Sequence, residues 1–312
     1  MIERPIFIIG AERSGTTMLR LMLDHHPKIS FLSEFEYAVE HVILTDRWPS
    51  LDLYYRQLST DRIFQSHGFT INRDLCYTAL VDDFLRQKRD RDGKPMVGAT
   101  LHRGFDRVMR IWPDARFVRI VRDGRDVARS CIGMGWAGNV WSASRRWIEA
   151  EQLWDDCEAT ITPDRYIDLR YEALVEQPIE ILSQVCEFLD VAYDEAMVRY
   201  PETTTYDAPD ASLSYQWKRK MSPYQIRLTE ARMGNMLVQR GYDLSGLESL
   251  RVNSILKSSL RLQDRIARWR FRVRRYGPWL LATNVLIRHL GVSAWKRQIK
   301  CRMNAIDGTA AK

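Results

Sequence analysis

The chain has 312 residues, 45% of them hydrophobic, which is enough for one large α/β domain with an appendage. We expect a cytoplasmic protein with free thiols: there is no apolar run of about 18 residues, no secretory signal, and no C-x-x-C pair among five cysteines. Residues 251–312 carry 15 Lys and Arg against two Asp, so their balance of +13 leaves −6 of the total +7 for residues 1–250. We therefore predict a catalytic domain over 1–250 and a basic extension over 251–312.

Short apolar segments alternate with helix-length segments along residues 1–250. The predicted strands cover residues 6–9, 29–32, 96–98, 116–121 and 166–169. The predicted helices cover residues 17–24, 74–87, 103–111, 125–133, 142–159, 178–189 and 223–239. This alternation predicts a mostly parallel central sheet flanked by helices, a three-layer α/β fold like that of P-loop proteins.

The loop over residues 10–17 follows the first predicted strand and reads Gly-Ala-Glu-Arg-Ser-Gly-Thr-Thr. A strand, a glycine-bounded loop and a helix start form a phosphate cradle, because loop amides and the helix N-terminus converge on an anion. The spacing matches a Walker A loop except that Thr16 stands where the triphosphate-binding lysine would be. Arg13 is the replacement cation. The alternative is a tight turn whose threonines only cap the helix.

A second strand-to-helix turn, over residues 117–126, reads Phe-Val-Arg-Ile-Val-Arg-Asp-Gly-Arg-Asp. Arg122 stands at the end of the strand, where open α/β sheets bind ligands, and Ser130 follows two helical turns later. These two side chains could hold a second phosphate. The alternative is a set of surface ion pairs formed by Arg122, Asp123, Arg125 and Asp126.

Two further residues are candidates for acid–base chemistry. Glu34 follows the second strand and could be a general base for a hydroxyl nucleophile, or only an acid at a helix N-terminus. His102 follows residues 97–101 and could be an auxiliary donor or base. We find no cluster with metal-ligand spacing and expect no metal.

Together these segments resemble the sulfotransferases that use 3′-phosphoadenosine 5′-phosphosulfate (PAPS), in the bacterial-type and tyrosylprotein sulfotransferase branch. The resemblance spans about residues 4–245. It rests on residues 13–27, which end in His-Pro, on the Arg-Asp-Gly-Arg of residues 122–125, and on Glu34, seven residues after Pro27. Residues 168–174, residues 178–189 and the pair Trp217-Lys218 support it.

The resemblance implies a role for each candidate residue. The 5′-phosphosulfate would be bound by Arg13, Ser14, Gly15, Thr16 and Thr17. The 3′-phosphate would be bound by Arg122 and Ser130, while Lys218 would close over the nucleotide. Glu34 would be the catalytic base. Relatives often carry a lysine near the bridging oxygen, but residues 98–103 here read Gly-Ala-Thr-Leu-His-Arg. Either His102 or Arg103 substitutes, or Arg13 and the loop act alone.

The implied reaction is in-line sulfuryl transfer from PAPS to an acceptor hydroxyl, or to an amine, with Arg13 stabilising the charge that develops. Two other functions stay open. One is a P-loop small-molecule kinase, which the missing lysine and the lack of a Walker B-type aspartate disfavour. The other is a non-catalytic nucleotide-binding interaction protein. The acceptor is unidentified, and we expect residues 35–95 and 200–220 to wall its pocket.

The basic extension contains an amphipathic helical pattern in which Leu262, Ile266, Trp269 and Val273 recur at helical spacing among arginines. Gly277-Pro278 should interrupt this helix. The apolar stripe could pack on the domain, lie on an anionic membrane surface through residues 255–300, or dock a partner or a second copy of the chain. No base-reading module is present, so we expect no nucleic acid partner.

Overall fold

The computed structural model describes residues 1–43, 47–290 and 293–310. Its central sheet has five parallel strands in the order β2-β3-β1-β4-β5. The strands are β1 Ile6–Ile9, β2 Ile29–Glu34, β3 Met96–Leu101, β4 Arg116–Val121 and β5 Tyr166–Arg170. All five predicted strands are present, and β2, β3 and β5 run one to three residues further than predicted.

Fourteen α-helices flank and extend this sheet within the described ranges. They are α1 Thr16–His25, α2 Leu51–Leu58, α3 Arg62–His67, α4 Tyr77–Asp92, α5 Val108–Ile111, α6 Gly124–Gly133, α7 Val140–Glu158, α8 Tyr171–Glu176, α9 Pro178–Phe188, α10 Trp217–Lys220, α11 Pro223–Gln239, α12 Ser254–Tyr276, α13 Pro278–Leu290 and α14 Ser293–Ala310. The helix predicted over 103–111 is wrong in its first half. Gly104 has a φ of 67°, so only a 3-10 turn and the short α5 follow it.

The core lies on both faces of the sheet, as a three-layer fold requires. Side chains of β1 alternate between the two faces. Ile6 and Ile8 pack with α1, α8 and α9 on one face. Phe7 and Ile9 pack on the other face with α4 and with Trp154 of α7.

The two predicted anion-binding turns leave neighbouring strands at one edge of the sheet. β1 pairs with β4, and Ile9 lies opposite Arg119. The chain leaves β1 towards β2 on one side and leaves β4 towards β5 on the other side. Ligands of open α/β sheets bind at such a switch point, outside the carboxyl ends of the strands.

The extension docks on the domain through a face of α12 that the sequence did not indicate. Leu260 is buried and the Asp264 carboxylate accepts a hydrogen bond from the Gly138 amide at 2.7 Å. Leu262, Ile266 and Trp269 are instead 59%, 42% and 64% exposed. The alternative in which this stripe packs on the domain is therefore wrong, because α12 docks through a different face of the helix.

The predicted break in the extension is confirmed, since α12 ends at Tyr276 and α13 begins at Pro278. Gly277 between them has a φ of 78°, which a residue with a side chain rarely adopts. None of the helices in the described ranges combines the length and apolarity needed to cross a membrane.

Candidate functional site

The loop between β1 and α1 has a constrained backbone, with positive φ angles at Arg13 and Gly15. Gly15 has a φ of 96° and is the N-cap residue of α1. A Cβ at Gly15 would collide with the ring of Tyr171, lying 2.8 Å from its Cε2 atom. Arg13 also has a positive φ, of 74°, which costs a residue with a side chain about 1–2 kcal/mol. The loop therefore needs a glycine at position 15, and holds Arg13 in a strained conformation of the kind found at functional sites.

The two threonines of this loop do not act as helix caps. The N-cap is Gly15, and no side-chain cap bond is formed at this helix start. Thr16 and Thr17 instead stand in the first turn of α1, where backbone amides have no partner inside the helix. The alternative of a simple capped turn is thus not what the structure shows.

Arg122 lies beside this loop, directly after β4. Its Nη1 donates to the carbonyl oxygen of Arg13 at 3.2 Å, and its Nη2 donates to the carbonyl oxygen of Leu213 at 2.8 Å. The guanidinium stacks 4.0 Å from the ring centre of Tyr171. The side chain is nearly buried, with Asp126 3.8 Å away as its counter-charge.

A second contact joins the two turns. Nε of Arg13 donates to Oγ of Ser130 at 2.9 Å. Arg13, Arg122 and Ser130 therefore form one cluster, although 117 residues separate the first from the last. Gly15 is the N-cap residue of α1, and Thr16 and Thr17 are its first two residues, so the helix begins three residues after Arg13 of this cluster.

The acidic residues after Arg122 are buried rather than arranged as surface ion pairs. Asp123 binds Arg125 through Oδ2 at 2.7 Å. Asp126 accepts from the backbone amides of Gln216 and Trp217 at 3.0 and 2.7 Å. Burial raises the pKa of Asp126, and the nearby Arg122 guanidinium opposes that rise. These carboxylates hold Gln216 and Trp217 against the start of α6.

Polar atoms without protein partners surround the cluster. Oγ of Ser14, Nε of Arg122 and Oγ of Ser214 are buried and have no hydrogen-bond partner among the residues that the structure describes. A buried polar group left unpaired costs about 1–3 kcal/mol. A ligand that carries phosphate-type oxygens would supply acceptors to all three, so these residues fit an anionic nucleotide.

Glu34 and His102 lie at the same edge of the sheet as the loop of residues 10–17, at the carboxyl ends of β2 and β3. Glu34 is exposed, is the last residue of β2 and pairs with Thr100 of β3. His102 follows β3, is buried, and hydrogen-bonds through Nδ1 to the carbonyl oxygen of Gly10 at 2.9 Å. A carbonyl oxygen can only accept, so Nδ1 of His102 carries the hydrogen of this bond.

Glu36 is a neighbour of both candidates. Its Oε1 accepts a hydrogen bond from the backbone amide of His102 at 2.8 Å. Burial raises the pKa of Glu36, while His102 acts in the opposite direction and Glu34 adds to the rise. Glu36 therefore positions the turn after β3.

Lys218 lies apart from the cluster. Its ammonium is 4.9 Å from the ring centre of Tyr215 and 5.6 Å from that of Trp217. Within the described ranges its side chain forms no hydrogen bond or ion pair with residues 13–17. Its neighbours on the chain do reach the site, since the carbonyl oxygen of Leu213 accepts from Arg122.

Two site residues were missed from the sequence. Tyr171 fills the space between Gly15 and Arg122, and Ser214 brings an unpaired hydroxyl. Tyr171 directly follows β5, and this position after a parallel strand is the signal that could have placed it at this edge of the sheet. Ser214 lies in an irregular connection, for which no periodicity gives a position.

The fold and this cluster define a three-layer α/β protein in which two strand-to-helix turns bring Arg13 and Arg122 together at one edge of the sheet. A model of the sulfotransferase family matches residues 5–195, and the chain belongs to that family. It is 27% identical over 203 residues to a protein-tyrosine sulfotransferase of Drosophila melanogaster, covering 63% of this chain and 40% of that protein. It is 25% identical over 211 residues to protein-tyrosine sulfotransferase A of Caenorhabditis elegans, covering 63% and 52%. The chain thus spans about half the length of these curated relatives.

Solved structures agree on the fold. The sulfotransferase domain from the curacin biosynthetic pathway has a TM-score of 0.58 at 20% identity, with 77% of this chain and 98% of that chain covered. The sulfotransferase domain of the Synechococcus PCC 7002 olefin synthase has a TM-score of 0.56 at 20% identity, covering 78% and 97%. The predicted family and three-layer fold are therefore confirmed.

Proposed function

We propose that the protein transfers a sulfuryl group from PAPS to a hydroxyl group of an acceptor. The observation that carries this proposal is the contact between the two anion sites, in which Arg122 donates to the Arg13 carbonyl oxygen at 3.2 Å. A nucleotide with a 5′-phosphosulfate and a 3′-phosphate has anionic groups at both ends of one adenosine. Adjacent cationic sites suit such a ligand.

In this proposal the loop amides, Ser14 and the first turn of α1 bind the 5′-phosphosulfate, while Arg122 and Ser130 bind the 3′-phosphate. The Arg13–Ser130 hydrogen bond couples the two ends. Lys218 would reach the nucleotide only by leaving the Tyr215 and Trp217 rings over which it now lies.

The proposed reaction is an in-line displacement. The acceptor oxygen forms a bond to sulfur while the bond from sulfur to the bridging phosphate oxygen breaks, and adenosine 3′,5′-bisphosphate leaves. Glu34 takes the acceptor proton, and Arg13 with the loop amides stabilises the leaving phosphate. His102 is the auxiliary donor or base in place of the family lysine. No step requires a metal.

The two alternatives have less support. A kinase would need a cation for the β- and γ-phosphates, and Thr16 occupies the position of that lysine. A binding protein without catalysis would not need the exposed Glu34 and the Nε2 of His102 at the same edge. The similar proteins of Drosophila melanogaster and Caenorhabditis elegans are also transferases by name.

The proposed role of Arg122 in binding the 3′-phosphate can be tested with one variant and two nucleotides, of which only one carries that phosphate. Arg122→Met should weaken adenosine 3′,5′-bisphosphate binding 10²–10³-fold, about 3–4 kcal/mol, because charge-assisted hydrogen bonds are lost. It should change the affinity for AMP, which lacks the 3′-phosphate, by less than about threefold. Isothermal titration calorimetry measures both affinities.

The matched control is Arg116→Met, which removes another buried arginine from the other end of β4, where it binds the Phe188 carbonyl oxygen at 2.9 Å. This control should leave both affinities unchanged. Equal losses for the two ligands in Arg122→Met would mean that Arg122 supports the fold and not the 3′-phosphate.

We further propose that the protein works in the cytoplasm and binds anionic membranes through residues 255–300. Support comes from the exposed Leu262, Ile266 and Trp269, which lie among arginines on α12. Replacing these three residues by Gln should reduce co-sedimentation with phosphatidylserine vesicles at least fivefold. The same change at exposed Leu53, Ile179 and Val238 is the control. Equal sedimentation of both triple variants would contradict membrane binding.

A further inference from the structure

A cavity of about 780 Å³ opens beside the donor loop, at the carboxyl edge of the sheet. Glu12, which follows β1, and His102 and Arg103, which follow β3, form the wall next to the donor site. Helices α7, α11 and α12 supply the other walls. The volume suits a ligand of small-molecule size. This cavity adjoins Glu12 and His102, and its lining lies outside residues 35–95 and 200–220, which we expected to wall the acceptor pocket.

The basic extension is a fixed wall of this cavity and not a loose tail. Nδ2 of Asn139 donates to the Leu260 carbonyl oxygen at 2.7 Å, and the Gly138 amide donates to Asp264. A Cβ at Gly138 would lie 2.6 Å from Cβ of Ala267, so the two backbones approach as closely as glycine allows. Leu260 is buried with Val140 and Trp217 in one apolar cluster.

The charges that line the cavity do not balance. Seven of the lining residues are cationic and three are acidic. The acidic residues are already engaged: Glu12 with Arg146 at 2.6 Å, Glu149 with Arg145 at 2.6 Å, and Asp264 with Arg268 at 2.8 Å. The Glu12 carboxylate also forms an ion pair with Arg103, whose Nη2 lies 3.4 Å from Oε1.

Three lining cations remain without a carboxylate partner in the described part of the chain: Arg232, Lys257 and Arg261. Arg232 lies 5.0 Å from the ring centre of Trp141 and donates to its carbonyl oxygen. Burial lowers the pKa of Arg232, and the charges of Arg145 and Arg261 lower it further, while the carboxylate of Glu149 opposes this change. Like charges are therefore crowded here, and an anion in the cavity would relieve their repulsion.

Aromatic surface adjoins these cations. Trp136 and Trp141 both line the cavity, and Arg146 lies 4.9 Å from the ring centre of Trp136. Flat indole surfaces beside cationic groups suit a ring that carries an anionic substituent. The wall formed by Glu12, His102 and Arg103 lies next to the donor loop, and Glu34 ends the strand beside β3.

We propose that this cavity is the acceptor site, and that it takes a hydroxylated ring bearing a phosphate or carboxylate group, which Lys257, Arg261 and Arg232 bind. The basic extension is then part of the substrate site. This inference rests on the proposed sulfuryl transfer and adds the class of acceptor to it. A hydroxylated ring with an anionic group occurs in free sugar acids and sugar phosphates, and also in lipid headgroups such as that of phosphatidylinositol.

The test uses the full chain saturated with adenosine 3′,5′-bisphosphate and four probes: glucose, glucose 6-phosphate, glucuronate, and vesicles with phosphatidylinositol in phosphatidylcholine. The ligand-detected NMR signals of at least one soluble anionic probe should show binding, or the phosphatidylinositol vesicles should bind better than phosphatidylserine vesicles of the same charge, which lack the hydroxylated ring. Glucose should bind at least tenfold more weakly than the best anionic probe. The soluble and vesicle arms separate a free acceptor from a lipid-borne one.

The variant pair Lys257→Gln with Arg261→Gln should weaken binding of the anionic probe at least tenfold. Both side chains are exposed and unpaired, so the fold should persist. The control pair, Arg265→Gln with Arg272→Gln, removes the same charge from exposed positions of α12 that do not line the cavity, and should not change binding of the soluble anionic probes. With phosphatidylinositol vesicles the control pair should lower binding less than the first pair does, because it removes only the attraction of α12 to the membrane surface.

Three results would overturn the proposal: no binding of any anionic probe, equal binding of glucose, or equal losses in the two pairs of variants. The affinity for adenosine 3′,5′-bisphosphate should be unchanged in both pairs. A wild-type chain that does not bind this nucleotide would instead remove the proposed function itself, so the two failures are distinguishable.

Discussion

Gly15→Ala perturbs the donor loop at the point where its backbone is most constrained. An alanine at a φ of 96° costs about 1–2 kcal/mol in backbone strain. The added Cβ would also lie 2.8 Å from Cε2 of Tyr171, and such overpacking typically costs about 1–3 kcal/mol. We therefore expect the free energy of unfolding to fall by about 2–5 kcal/mol. Because the loop must move away from Tyr171, binding of adenosine 3′,5′-bisphosphate should weaken at least 100-fold.

Gly93→Ala is the matched control for this change. Gly93 also has a positive φ, of 64°, but a Cβ there meets no atom within 4 Å. It should cost only the backbone strain and leave nucleotide affinity unchanged. Urea unfolding and calorimetry measure the two quantities. Equal stability losses in the two variants, or intact nucleotide binding in Gly15→Ala, would refute the idea that Tyr171 fixes the loop.

Other expectations follow from the site and its surroundings. Arg13→Ala and Glu34→Gln should each lower sulfuryl-transfer turnover by about 10² or more, and Glu34→Gln should keep donor affinity; full turnover in Glu34→Gln would exclude that residue as the base. Burial, reinforced by nearby cations, lowers the pKa of His67 to about 4. Since the unfolded chain then binds more protons between about pH 4 and 6.5, stability should fall by up to about 3 kcal/mol as the pH drops through that window. In His67→Gln the free energy of unfolding, measured with urea at each pH, should depend less on pH. An unchanged pH dependence would mean that other groups cause it.

The sequence predicted the sheet and the donor turns because their signals are local. Short apolar runs followed by glycine-bounded turns placed Gly15 and Arg122 at strand ends. Parallel pairing then brought these turns to one edge. The capping box of Ser222 and the left-handed Gly241 after α11 are features of the same local kind, since each depends on a few neighbouring residues.

The sequence could not show which face of α12 docks. Leu262, Ile266 and Trp269 form the stronger apolar stripe, yet the docked face carries Leu260 and Asp264. The deciding partner is Gly138, more than 120 residues away, whose amide binds Asp264 and whose missing side chain admits the helix. Tertiary contacts of this kind leave no periodic signal in either segment. The proposed acceptor cavity could not be predicted for the same reason.

The central claim is that one adenosine ligand bridges Arg13 and Arg122, and a structure of the complex with adenosine 3′,5′-bisphosphate tests it most directly. We expect the 3′-phosphate oxygens within about 3 Å of the guanidinium of Arg122 and of Oγ of Ser130, and the 5′-phosphate against the amides that begin α1. A bound nucleotide whose 3′-phosphate lies away from Arg122, or whose 5′-phosphate lies outside the loop, would contradict the account.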